Sequence, residues 1–143
     1  MEKRLKTLQL FYASVLADSV NHYNNAGILS LVTEKKLNQQ KLTASSQLKQ
    51  LGITDPQQLF SYFSEVFGCI KWETEGDMEN LTAKGNHCLL CSIAKKMQTA
   101  QPCFMHCINP FRSMLEAMDP SYKLTVEKTL WDSDQCIFKA SLK

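Results

Sequence analysis

The chain has 143 residues, 44% hydrophobic and 21% charged, and its 16 basic and 14 acidic residues leave a net charge of only +2. This length fits one domain able to bury a core without staples, and the scattered charge lacks the basic stripe that a phosphate backbone requires, which argues against nucleic acid as a partner. No apolar run approaches the ~20 residues that span a bilayer, and the start reads as an amphipathic helix, not a leader. A cytosolic location is therefore expected, where six cysteines serve as ligands, reactive thiols or small core residues more often than as disulfides.

In chain order, Leu5, Leu8, Phe11, Tyr12, Val15 and Leu16 recur at helical spacing and predict one long amphipathic helix to about Ala26. Asp18 and His22 stand four apart on it, where a carboxylate can orient an imidazole; the plainer reading is a surface contact beside the core. Asn24-Asn25-Ala26-Gly27 breaks the pattern, which resumes at Ile28 with a polar middle from Glu34 to Lys41 that reads as a solvated face. A short helix carrying Leu48 and Leu51 then closes at Gly52. Asp55-Pro56-Gln57-Gln58 is a helix start, with Asp55 as N-cap and Gln58 placed to return a hydrogen bond. Leu59, Phe60, Phe63, Val66 and Phe67 give that helix an aromatic face, and Gly68 stops it.

Cys69 to Glu75 alternates as a half-buried strand does, which puts Cys69 on the face opposite Ile70 and Trp72. Leu81-Thr82-Ala83 returns as a second strand after the turn at Gly76-Asp77. Ser92 to Pro102 reads as a helix and a break, Asn109-Pro110 caps a helix over Phe111, Met114, Leu115 and Met118, and Asp119-Pro120 ends it. Leu124 to Trp131, a turn at Asp132-Ser133-Asp134, and Gln135 to Leu142 form a closing hairpin with Cys136, Phe138, Ala140 and Leu142 on one face. Helices first and strands later predict an α+β fold, a single domain over 1–143 with N-terminal helices on one face of an antiparallel sheet and a C-terminal β-hairpin.

The chemistry concentrates between His87 and Cys107, which holds four of the six cysteines and two of the three histidines. Cys88-x2-Cys91 and Cys103-x3-Cys107 are spacings that bring paired sulfurs to one side of a turn, so the four are the expected metal ligands. Four thiolates favour zinc or an iron–sulfur cluster, which spacing does not separate. Cys69, His87, His106 or Cys136 can each replace one of the four. A second reading uses thiol reactivity: Pro102 places Cys103 at a helix start, where a thiolate is favoured, and His106 three residues on supplies an acid or base. Packing alone explains Cys136, which faces inward beside Phe138, better than it explains the other four.

The stretch Leu124 to Phe138, a strand, a polar turn, Cys136 and an aromatic residue, resembles the closing hairpin of the 4-vinyl reductase (V4R) small-molecule-binding domains and of the L-2-amino-thiazoline-4-carboxylic acid hydrolase family. The resemblance implies a pocket between helices and sheet, often with cysteine ligands to zinc near the hairpin, and it makes Cys136 a ligand candidate with Cys103 or Cys107. The combined expectation is a thiol-rich domain that binds a metal or a small ligand through clustered cysteines. The alternatives are a hydrolase with Cys103 as nucleophile and His106 as acid or base, and a metal-stabilised interaction module without catalysis. The partner is expected to be a small molecule or metal, not nucleic acid or membrane, with homodimerisation left open.

Overall fold

A computed structural model describes residues 1–142. Among them five α-helices and four strands form the α+β fold: α1 Glu2–Asn25, α2 Leu29–Leu51, α3 Pro56–Tyr62, β1 Glu73–Gly76, β2 Asn80–Gly85, α4 Leu89–Lys96, α5 Asn109–Met118, β3 Tyr122–Lys128 and β4 Cys136–Leu142. The sheet is antiparallel throughout, in the order β1-β2-β4-β3. No described helix is long and apolar enough to cross a membrane.

The closing hairpin forms as the alternation predicts. Ala140 stands between Leu81 and Leu124, and Phe138 between Ala83 and Val126, so the inward residues of three strands lie side by side. That face meets α3 and α5. An aromatic cluster joins the layers: the Phe111 ring lies 4.7 Å from Phe60 and 4.6 Å from Phe63, and Trp72 lies 4.8 Å from Phe138. Such ring pairs add roughly 0.5–1.5 kcal/mol each beyond the apolar area they bury.

The start of α3 is built as its residues dictate. Asp55 accepts a hydrogen bond from the Gln58 amide at 2.9 Å, and the Gln58 side chain reaches back to the Thr54 amide at 2.8 Å. The helix then widens into a π-helical turn, Phe63–Phe67, which ends at Gly68 with φ +70°. At that angle a side chain is strained and glycine is not.

Four expectations are corrected. Leu5, Leu8, Phe11, Tyr12 and Val15 of α1 are not its core face; the buried residues are Ala13, Ala17 and Val20, because small side chains allow close helix packing. The polar run Glu34 to Lys41 lies within one continuous α2, where Lys36 and Gln40 are half-buried. Cys69 to Trp72 is outside the sheet: the Cys69 carbonyl accepts from the Leu89 amide at 2.8 Å and the Trp72 amide donates to Ser64 Oγ at 2.9 Å, so these residues are tied to helices instead of to a strand. Asn109 is no cap either. A π-helical turn, Phe104–Ile108, runs straight into α5, its widened bond from the Asn109 amide to the Phe104 carbonyl letting the chain carry Pro110, which has no N–H, without a break.

Candidate functional site

All six cysteines are unpaired thiols. Five lie on segments that meet behind α1: Cys69 after the first π turn, Cys88 and Cys91 at the start of α4, and Cys103 and Cys107 around the second π turn. Cys136 opens β4, where its sulfur accepts from the Leu130 amide at 3.2 Å. Its thiol feels the charges of Cys88 and Cys103, and burial first of all pushes it up to about 12.

Cys88 is the N-cap of α4 and its Sγ accepts from the Cys91 amide at 3.4 Å. The Cys91 and Cys103 sulfurs are 3.7 Å apart. Hydrogen bonding from the Cys91 S–H, with help from the Cys91 and Leu90 amides and Lys95, holds Cys88 below the ordinary thiol range. The same S–H lowers Cys103, assisted by Gln101, while Cys91 itself is pushed up and keeps its proton. One S–H donates to one acceptor at a time. The Cys91 proton can therefore favour the thiolate of Cys88 or of Cys103, but not of both at once.

On the α1 side lies a small chamber of about 40 Å³ whose walls include Cys69, Cys88, Cys107, Leu90, Trp72 and Phe111. A water needs some 10–15 Å³ by this measure, so the chamber holds a few small atoms at most. Cys107 is half-buried, and desolvation pushes its thiol well up; burial, then the charge of Cys88, pushes Cys69 up to about 12. Of the three chamber thiols, only Cys88 is inclined to ionise.

A larger cleft of about 390 Å³ lies between α1, α2 and the two π turns. Tyr12, Leu16, Phe63, Phe67 and His106 line both spaces, so the cleft and the chamber meet at these five residues. Gln40 also lines the cleft. Its Nε2 donates to the Met105 carbonyl at 3.3 Å, which fixes the amide's orientation, and its buried Oε1 has no partner. Lys36 stands on the same wall.

His106 is held by Ser19. The Ser19 hydroxyl lies 2.7 Å from the Leu16 carbonyl, to which it can donate, and 3.2 Å from His106 Nε2, so it ties the imidazole to α1. Burial, then the charge of Lys36, lowers the ring pKa to about 4. The unfolded chain therefore takes up a proton below about pH 6.5 that the folded chain refuses until pH 4. Stability is full above the unfolded pKa and is lost as pH falls through this window, by an expected 2–3 kcal/mol or so. Urea midpoints measured from pH 7 to pH 4 should slope downward, and His106→Gln should remove much of that slope.

The expected residues thus divide. Cys88 contacts Cys91 and Cys91 contacts Cys103, while Cys107 lines the same chamber as Cys88. His106 and Cys103 share no hydrogen bond among the described residues: the ring is bonded to Ser19 and the thiol to Cys91. His87 is exposed and lines a surface hollow with Cys69. Asp18 and His22 meet at 3.3 Å on open surface. The cleft residues Gln40, Lys36, Tyr12, Phe63 and Phe67 carry no local sequence signal of a site. Among the described residues no group of three His, Cys, Asp or Glu side chains is arranged to hold a metal ion. No family model, curated protein or solved structure matches the chain.

Proposed function

We propose that this chain binds a small, largely apolar ligand in the cleft and meets the ligand's thiophilic end with Cys88. The reading is carried by one observation: the cleft and the thiol chamber share five wall residues, and the chamber thiol with a lowered pKa is Cys88. Aromatic walls at Tyr12, Phe63 and Phe67 suit a flat or apolar body, and Lys36 offers a cation to an acidic group. The chamber's size admits only the ligand's tip. The hairpin's likeness to the V4R domains also favours a small molecule.

p-Chloromercuribenzoate combines these features, with a soft mercury atom on an aryl ring that bears a carboxylate. A thiolate displaces chloride from mercury, forming one S–Hg bond and releasing chloride. The native protein should take up one mercury rapidly, and Cys88→Ala should abolish that phase while leaving helix content unchanged. First reaction at any other cysteine would refute the assignment.

A soft metal ion held by Cys88, Cys91, Cys103 and Cys107, as zinc or an iron–sulfur cluster, is a second reading favoured by a specific distance. Zn–S bonds of ~2.3 Å place tetrahedral sulfurs about 3.8 Å apart, and Cys91 and Cys103 are 3.7 Å apart. The remaining side chains do not converge on a point that would hold an ion, so this reading requires the sulfurs to move. Stoichiometric zinc or iron in anaerobically purified protein, with these four thiols shielded from the mercurial, would favour it over the first.

A further inference from the structure

Helix α1 presents its largest apolar residues to solvent. Leu8, Phe11 and Val15 are 65%, 65% and 64% exposed, while Ala13, Ala17 and Val20 are buried on the opposite side. These three, the most exposed apolar side chains of α1, belong to a longer stripe, Arg4, Leu8, Phe11, Val15, Asp18 and His22, whose members alternate four and three residues apart. That spacing is the seam of a paired helix. Scattered apolar side chains on a surface need no explanation, but a contiguous seam does.

The ends of the seam identify what covers it. Arg4 and Asp18 are both exposed and stand on the same line as the apolar residues, one at each end, about 21 Å apart along the axis. A second copy of α1 laid antiparallel, with a twofold axis at Phe11, sets Phe11 on Phe11, Arg4 on Asp18 at both ends, and Leu8 within one residue, about 1.5 Å of rise, of Val15. A parallel copy would set Arg4 on Arg4 and Asp18 on Asp18. The seam is therefore complementary to itself in one orientation, as an isologous interface must be.

We infer that α1 is the interface of an antiparallel homodimer, with Leu8, Phe11 and Val15 at its centre and two Arg4–Asp18 pairs at its rims. A single helix pair of this length lies at the small end of the interface range, well under the about 800 Å² per partner of a standard one, so the dimer is in exchange with monomer. This inference is independent of the ligand reading.

Sedimentation equilibrium on the full chain tests it. Wild type should dimerise with a dissociation constant on the order of micromolar to tens of micromolar. Arg4→Asp alone and Asp18→Arg alone place like charges at both rims and should each weaken the dimer about tenfold or more. The double exchange, R4D/D18R, restores the pairing and should recover affinity to within about threefold of wild type. Both changed residues are on exposed surface, and unchanged circular dichroism would establish that the three variants are folded. A chain that is monomeric at about 200 μM overturns the inference, whatever else it binds. So does a dimer that ignores the single changes, or one that the double exchange fails to restore.

Discussion

Phe111→Ala should cost about 3–5 kcal/mol of stability, read as a large fall in the urea midpoint. Phe111 is 1% exposed and touches four rings, Phe60, Phe63, Trp72 and Phe138, three of them on separate segments. Removing it leaves a cavity that these rigid neighbours cannot fill, because each is held by others in the cluster. The same ring is a wall of the thiol chamber. A variant that still folds should therefore react with the mercurial faster than wild type, since the space beside Cys88 is enlarged. Loss of stability and gain of reactivity together would separate this residue from core positions away from the site.

Cys69 and Cys136 should be nearly inert to iodoacetamide at pH 7.5 in the native protein and react normally in urea. The thiolate is the nucleophile, and raising a thiol pKa to about 12 leaves roughly a thousandth of the usual thiolate at this pH. Desolvation suppresses Cys107 in the same direction. Cys88, and Cys103 behind it, should account for nearly all native alkylation. Peptide mapping after timed quenching checks this. Comparable native labelling of Cys69 and Cys88 would contradict the ionisation pattern.

Local chemistry was legible where it was decided locally. The Asp55-Pro56 cap, the glycine stop at Gly52, the α+β order and the closing hairpin each depend on a few neighbouring residues and formed as read. Periodicity identified α1 as a helix but assigned the wrong side to the core. The helix packs through Ala13 and Ala17, which contribute little to an apolar count, while Phe11 and Leu8 dominate that count and face outward. Pro110 read as a helix start because the π turn before it has no sequence mark. The cysteine stretch did draw attention to the thiols, and contact among Cys88, Cys91 and Cys103 follows from the turn they share with the break after α4. The cleft was invisible because its walls come from α1, α2 and both π turns, and two of its lining residues, Lys36 and Gln40, sit in a run that looks solvated.

The most direct test of the account is the rate of p-chloromercuribenzoate uptake after Leu16→Trp. Leu16 stands on the wall common to the cleft and the chamber, and an indole there should close the route to Cys88. The account predicts a native reaction slowed about tenfold or more, an unchanged rate in urea, and a urea midpoint near that of wild type. An unslowed native reaction at Cys88 would mean that ligands do not reach the thiols through the cleft, and would contradict the proposed site.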